Sequence, residues 1–342
     1  MKSLLSTCLL ALAVTAATAI SAQTMDQIST AYQAKDYLTA YKGYAKLAAD
    51  GDTIAQNKLG EMYAGGLGTS KDEGQAVTWY RKAAEQGYAN AQQNLAVMYG
   101  TGRGVLQDWQ QALAWHRKAA EQGYALAQYF MGEMYAFGHG VPKDPQEAVS
   151  WYRKAAEQGA VDAQEELGSM FGEGKGVPKD ELEAVAWYRK AALQGSEYGQ
   201  FKLGIAYEKG LGVPKDEQQA AIWYRKVAER GDIDAQYNLG LMFATSKGPI
   251  NDMKQAVGWY RRAAEQGDAG AQYNLSLIYL YGQGVPQDRQ QAYFWALLSS
   301  VRGNRSADRL YDDLERSATK AEHAKTHAKV RTWTPRIESK GS

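Results

Sequence analysis

The apolar residues of this chain recur at a helical spacing and predict an amphipathic helix. In the A-Q-x-x-L-G-x-M-Y phrase of residues 55–63, the apolar side chains stand at positions 55, 59, 62 and 63. This spacing places them on one face of a helix, here called helix A. A small residue recurs at the position of Gly60, where a glycine costs about 1 kcal/mol relative to alanine. Its recurrence therefore predicts close contact with a neighbouring helix.

A second helix, here called helix B, is predicted to begin at an aspartate. Asp144 is followed three residues later by Glu147, a capping-box arrangement that satisfies the free amides of the first helical turn. Pro145 stands at the one helical position where proline is comfortable. In the first full pair, helix B presents the apolar residues of 76–84 to the core and ends at Gly87.

The two helices form one unit that repeats every 36 residues. Seven tryptophans keep this spacing without insertion or deletion: Trp79, Trp115, Trp151, Trp187, Trp223, Trp259 and Trp295. One pair is too small to bury its own apolar face, so neighbouring pairs must stack into a continuous core. The sequence therefore predicts an all-α fold, a solenoid of stacked helix–turn–helix repeats.

The ends of the array differ from the repeats, as capping units do. A shortened pair precedes the first repeat, and a Thr319-x-x-Glu322 capping box opens the last helix. The predicted segments are a signal peptide at 1–22, an N-terminal capping pair at 23–51, seven repeats at 52–303, C-terminal capping helices at 304–334 and a disordered tail at 335–342.

The first 22 residues have the pattern of a secretory signal peptide. Lys2 supplies the positive start, the stretch from Leu4 to Ile20 is apolar, and cleavage is expected after Ala19 or Ala22. The alternative is an uncleaved membrane anchor, but this stretch is just short of the roughly 20 residues that span a bilayer. We expect a periplasmic or secreted protein with no stable membrane insertion after cleavage.

The repeated phrases resemble those of the Sel1-like repeat family, a branch of the tetratricopeptide-like helical solenoids. The resemblance rests on the A-Q-x-x-L-G-x-M-Y phrase, the G-x-G-V-P-x-D loop and the W-Y-R-K-A-A-E-Q-G phrase, and it covers nearly all of residues 25–333. It implies a right-handed superhelix that acts as a scaffold for protein complexes. One loop departs from the pattern, at residues 245–250.

Charge and cysteine content narrow the function further. The chain has 39 Lys and Arg against 38 Asp and Glu, a net charge of +1. Nucleic-acid binders usually carry a basic stripe, so we expect no nucleic-acid partner. The single cysteine, Cys8, lies in the predicted signal peptide, so the mature chain is expected to fold without disulfides. The capped ends argue against open-ended polymerisation, and we expect a monomer.

A partner-binding surface is predicted where the repeats differ from one another. Positions that are constant across repeats are explained by stacking, whereas variable positions of helix A are free for binding. Aromatic and amide side chains occupy these variable positions, and such residues suit peptide contact. The alternative is that the rings pack against an adjacent helix. The candidate partner-binding residues are Tyr129, Phe130, Phe201, Tyr237, Asn238, Tyr273 and Asn274.

The sequence carries no pattern that predicts catalysis, a cofactor or a metal. The G-x-G loops lack the preceding strand and the following acidic residue of a dinucleotide fold. His323 and His327 stand four apart on the last helix, where two imidazoles could share a metal. No HExxH pattern accompanies this pair, and such a pair on a charged helix is usually solvated surface. His116 and His139 look incidental.

The leading hypothesis is a non-catalytic scaffold of the bacterial envelope that binds a protein or peptide along a concave helical groove. Two alternatives stay open, a secreted factor that binds host proteins and an enzyme or enzyme subunit acting on cell-wall substrates. The sequence does not identify the partner.

Overall fold

The computed structural model describes residues 25–336 and 338, which form α-helices and short loops and include no β-strand. The predicted signal peptide lies outside these residues, as do 337 and 339–342. The helices are α1 25–33, α2 Tyr37–Ala49, α3 Thr53–Gly65, α4 Glu73–Glu85, α5 Ala89–Thr101, α6 Trp109–Glu121, α7 Ala125–Phe137, α8 Pro145–Glu157, α9 Val161–Glu173, α10 Glu181–Leu193, α11 Glu197–Lys209, α12 Glu217–Ala228, α13 Ile233–Thr245, α14 Met253–Gln266, α15 Ala269–Tyr281, α16 Arg289–Val301, α17 Arg305–Arg316 and α18 Lys320–Arg331.

The helices stack in sequence order, which confirms the predicted fold class. The chain divides into two compact units, with the boundary inside α9. The first unit runs to Ala163 and includes Lys175–Val177. The second unit consists of Gln164–Gly174 and the residues from Pro178 onward. In the first unit α2 to α7 each pack against the next helix, and in the second α10 to α16 do the same, with α18 packed on α16. Repeats 1 to 7 are the pairs α3–α4 to α15–α16. Within the described residues, none of these helices is long and apolar enough to cross a bilayer.

Helix B begins at an aspartate, as the sequence predicts, but its cap is not a reciprocal capping box. In repeat 1 the Asp72 carboxylate accepts a hydrogen bond from the backbone N–H of Gln75 at 2.9 Å. The Asp72 N–H donates to the Tyr63 carbonyl at 2.9 Å and therefore needs no side-chain partner. The last helix, α18, does have both halves of the box, between Thr319 and Glu322.

The glycine loop between helices A and B touches the preceding repeat. Gly68 has a φ of 69°, and a Cβ atom there would lie 2.1 Å from the Tyr37 carbonyl oxygen at the start of α2. Gly104 makes the same approach to the Glu73 carbonyl of α4, at 2.2 Å. Only glycine fits such a position, because any side chain would collide with backbone that cannot move aside.

The mid-helix glycine of helix A packs against a tyrosine of helix B in the same repeat. A Cβ at Gly60 would lie 2.7 Å from the Tyr80 ring, and one at Gly132 would lie 2.5 Å from the Tyr152 ring. This confirms the close helix contact that the sequence predicts. Repeat 2 differs at both positions, since Ala96 replaces the glycine and the buried His116 replaces the tyrosine.

The repeated tryptophans lie at the edge of the core rather than inside it. Trp187 and Trp295 are buried, whereas the other five are half-buried. A basic side chain covers each exposed ring face, as in repeat 1, where the Lys82 ammonium lies 4.0 Å from the centroid of the Trp79 ring. Such a cation–π contact is favourable and keeps the lysine stem on apolar surface. The expectation that Trp79 faces the core is therefore correct for only part of its ring.

Candidate functional site

The predicted partner-binding side chains lie at the boundary between core and solvent. All seven are half-buried: Tyr129, Phe130, Phe201, Tyr237, Asn238, Tyr273 and Asn274. Three of the rings pack against the core tyrosine of helix B in their own repeat. The ring centroids are 5.6 Å apart for Tyr129 and Tyr152, 5.5 Å for Phe201 and Tyr224, and 5.9 Å for Tyr237 and Tyr260. These side chains thus pack against the core with part of their surface and expose the rest, and partner binding by them stays a prediction.

An apolar cavity of about 380 Å³ opens between repeats 2 and 3 in the first unit. Its lining includes Phe130, one of the predicted residues, together with the exposed aromatics Trp109 and Phe137. His139 is stacked on Trp109 at a centroid distance of 4.4 Å. The cavity is large enough for an apolar side chain of a partner.

His116 forms the inner wall of this cavity and is held in its neutral form. Its ring stacks on Phe130 at 5.0 Å, and its Nδ1 atom lies 2.8 Å from the Gln93 amide oxygen. Burial lowers the pKa of His116 to about 4, because the charged imidazolium would lose its hydration. Glu133 lines the same cavity, and burial raises the pKa of its carboxyl group.

Glutamines of the two helices form a second repeated feature, here called the glutamine ladder. In repeat 1 the Gln56 amide donates to the Ala48 carbonyl at 3.2 Å and accepts from Gln86 at 2.8 Å. Repeat 6 has the same bonds, from Gln236 to Ala228 at 3.0 Å and from Gln266 to Gln236 at 2.9 Å. Where both glutamines are present, the ladder fixes the start of helix A against the ends of two helices B.

The C-terminal segment of the chain binds across this ladder in repeat 6. Arg336 donates its backbone N–H to the Glu265 carbonyl at 2.8 Å, and Glu338 donates its own to the Gln266 side chain at 3.4 Å. Two residues apart, these N–H groups point to the same side, as in an extended strand. The Glu338 side chain also contacts Gly231, where an added Cβ would lie 3.1 Å from the Glu338 Cβ.

A charged fork holds the side chain of Glu338. The Arg262 guanidinium donates to both of its carboxylate oxygens, at 2.9 and 2.6 Å, and Gln236 donates at 3.0 Å. Arg262 in turn lies over the Trp259 ring, 4.8 Å from its centroid. The Arg262 hydrogen bonds lower the pKa of Glu338, so the carboxylate stays charged at neutral pH. Bidentate pairs of this kind are among the stronger polar contacts in proteins.

Family comparison agrees with the repeat geometry. The Sel1 repeat matches the chain seven times, at residues 53–88, 89–124, 125–159, 161–196, 197–232, 233–268 and 269–304. The chain belongs to the Sel1-repeat family. Sel1-repeat proteins are in general protein-interaction scaffolds. No curated protein sequence matches the chain.

Two solved Sel1-repeat structures are similar to this chain. A protective antigen of uropathogenic Escherichia coli strains is 36% identical with a TM-score of 0.82, over 90% of this chain and 68% of the antigen. A Sel1 repeat protein from Oxalobacter formigenes is 31% identical with a TM-score of 0.62, over 85% of this chain and 90% of that protein. Both likenesses support the solenoid fold of this Sel1-repeat protein.

Sequence reasoning missed the residues that hold the C-terminal segment. Gln236 and Gln266 are constant across most repeats, and comparison among repeats explains constant positions by stacking alone. In this Sel1-repeat chain the two glutamines both stack the repeats and hold the C-terminal segment, since they hydrogen-bond to each other and to Glu338. The sequence feature that could have indicated this site is Arg262, which stands where the five preceding repeats carry lysine.

The two histidines of the last helix, His323 exposed and His327 half-buried, lie beside a carboxylate. Glu315, at the end of α17, places its Oε1 atom 3.2 Å from the Nε2 atom of His323 and 3.7 Å from that of His327. The carboxylate that the local sequence pattern lacked is thus supplied by a different helix. These three side chains are the described residues grouped closely enough to hold a metal ion.

Proposed function

We propose that this Sel1-repeat protein is a non-catalytic scaffold that binds extended, acidic segments of a protein partner along its helical repeats. The observation that carries the proposal is the placement of the chain's own Arg336 and Glu338 across repeat 6. The contacts combine backbone hydrogen bonds, which suit any peptide, with a fork that selects a carboxylate.

The other repeats carry most of the groups that hold Glu338 in repeat 6. Lysines stand at the position of Arg262 in the five preceding repeats: Lys82, Lys118, Lys154, Lys190 and Lys226. A Cβ built at Gly87 or Gly123, the equivalents of Gly231, would meet no atom within 4 Å. These positions therefore have room for a peptide where repeat 6 holds Glu338.

Repeat 5 offers a further group for a peptide backbone. The Gln200 side-chain oxygen is buried and accepts no hydrogen bond from the described residues. Its usual donor is missing because Arg230, just after helix B of this repeat, stands at the position of the ladder glutamine. A buried acceptor without a donor is costly, and a partner N–H would remove that cost.

The test uses a synthetic peptide with the sequence of residues 332–342 and a full-length chain that carries Glu338→Ala. Loss of the internal carboxylate should free repeat 6 for the peptide. We expect Arg262→Ala in this host to weaken peptide binding roughly 10- to 100-fold, since hydrogen bonds to charged groups contribute about 1.5–3 kcal/mol. Fluorescence anisotropy of the labelled peptide measures the dissociation constant.

Lys254→Ala in the same host is the matched control, because Lys254 is an exposed basic residue of the same helix. It should leave binding unchanged. A peptide with glutamine in place of the glutamate should bind the Glu338→Ala host about as weakly as the original peptide binds the Arg262→Ala variant. Equal affinity for the Arg262→Ala and Lys254→Ala hosts would contradict the proposal.

The aromatic residues of helix A are proposed as a second contact surface for the partner. Alanine at Tyr237 and Tyr273 should weaken capture of a partner while changing the melting temperature little, because both rings are only half-buried. Circular dichroism gives the melting temperature, and a large drop would show that the rings act mainly in packing, as Tyr237 does against Tyr260.

The proposed location is the periplasm, reached by the signal peptide predicted at 1–22. A secreted, host-protein-binding role is the second candidate, and the similarity to a protective antigen of uropathogenic Escherichia coli favours it. Cell fractionation separates the two, since a periplasmic scaffold is released by osmotic shock and a secreted protein is found in the medium.

A further inference from the structure

We propose that Glu315, His323 and His327 bind a divalent transition-metal ion, with Zn²⁺ as the best-suited ion. The two histidines lie one turn apart on α18, and their rings stack with centroids 4.1 Å apart. The Glu315 carboxylate approaches from α17. Ligand atoms of all three residues lie within 4.8 Å of one another. Two neutral imidazoles and one carboxylate are a common ligand set for zinc.

The distances fit a tetrahedral ion. Zinc bonds to nitrogen and oxygen of about 2.0–2.1 Å place neighbouring ligand atoms roughly 3.4 Å apart. The Glu315 Oε1 atom lies 3.2 Å from His323 Nε2 and 3.7 Å from His327 Nε2, so small side-chain rotations complete the geometry. The three side chains retain 34%, 47% and 27% of their exposure, which leaves water access to a fourth position.

Two tyrosines contact the ligand atoms. Tyr311 donates its hydroxyl to Glu315 Oε1 at 2.5 Å, and its ring stacks on Tyr293 at 5.8 Å. The hydrogen bond from Tyr311 is an outer contact of the kind that fixes ligand geometry in metal sites. The Tyr293 hydroxyl lies 3.4 Å from His327 Nε2, and this contact opens when that nitrogen binds the ion. Tyr293 is 2% exposed and belongs to α16, so the site is anchored to the last repeat.

The location gives the ion a role in holding the C-terminal helices together. Glu315 ends α17 and the histidines belong to α18, so one ion would clamp the two helices. Helix α18 also leads directly to the segment that places Glu338 on repeat 6. A bound ion is therefore expected to stabilise both the C-terminal cap and the docking of that segment.

The test is isothermal titration of Zn²⁺ into the full chain, prepared without a histidine tag and freed of metal by a chelator. We expect one ion per chain and a higher melting temperature with Zn²⁺. His323→Ala and His327→Ala should each weaken binding by about 100-fold or more, and Glu315→Gln by at least tenfold, since even outer-shell changes cost 10- to 100-fold.

His139→Ala is the matched control, because this residue is a loop histidine of the first unit. It should bind Zn²⁺ like the parent chain. The ligand-field spectrum of bound Co²⁺ provides a second readout and should show tetrahedral coordination that His327→Ala abolishes. The proposal is overturned if the parent chain does not bind Zn²⁺ at micromolar concentration, or if all variants bind it equally.

Discussion

The double variant Ala96→Gly with His116→Tyr should be at least as stable as the parent chain, whereas each single change should destabilise it. The tyrosine alone would meet the Cβ of Ala96, as a Cβ at Gly132 would meet the Tyr152 ring at 2.5 Å. Overpacking of this kind costs about 1–3 kcal/mol. The glycine alone costs about 1 kcal/mol of helix propensity. Together they restore the glycine–tyrosine pair that repeats 1 and 3 to 6 use and place a larger ring beside the cavity.

Chemical denaturation followed by circular dichroism measures the four free energies of unfolding. We expect a coupling of roughly 2 kcal/mol, the size typical of side chains in direct contact. The equivalent change in repeat 3, Tyr152→His, is the reverse control and should be improved by Gly132→Ala. Additive effects of the two single changes in repeat 2 would show that the residues do not share one packing site.

Acid should destabilise this protein through His116. The folded chain holds this imidazole neutral, with a pKa lowered to about 4 by burial, whereas the unfolded chain takes up a proton near the ordinary value of 6.5. Below pH 6.5 the unfolded state therefore binds more protons, and stability falls as the pH decreases towards 4. The expected loss between pH 7 and pH 5 is about 2 kcal/mol.

The measurement compares the parent chain with His116→Gln, in which position 116 does not titrate. Glu133 has a raised pKa and acts in the opposite direction, since its buried carboxyl gains stability on protonation. Because both chains keep Glu133, the difference between their pH profiles isolates His116. Parallel profiles from pH 7 to pH 5 would contradict the assignment of a neutral buried histidine.

Local sequence patterns were sufficient to predict the helical pairs. The 36-residue period, the N-cap aspartates and the recurring mid-helix glycine each reflect contacts that are short-range or shared by most repeats. The capping box was only half correct, because the Asp72 N–H has a backbone partner, the Tyr63 carbonyl, that comes from the preceding helix.

The candidate site was harder to predict because its contacts join distant residues. Comparison among repeats selected variable aromatics such as Tyr237, which lie half-buried at the core boundary. It does not select Gln236, because a residue that is constant for stacking can also bind another segment, and its constancy gives no sign of that second role. Glu338 and Gln236 stand 102 positions apart in the chain, a pairing that no repeat pattern contains.

The sequence by itself determined that this chain is a helical solenoid of seven Sel1 repeats, because each repeat forms the same local contacts from the same residues. Only the tertiary structure decided which polar groups meet. Glu315 meets His323 and His327 on the next helix, and Glu338 meets Arg262, 76 positions away in the chain. The physical reason is that helix periodicity fixes the face on which a side chain lies, whereas its partner on another element is fixed by how the elements pack.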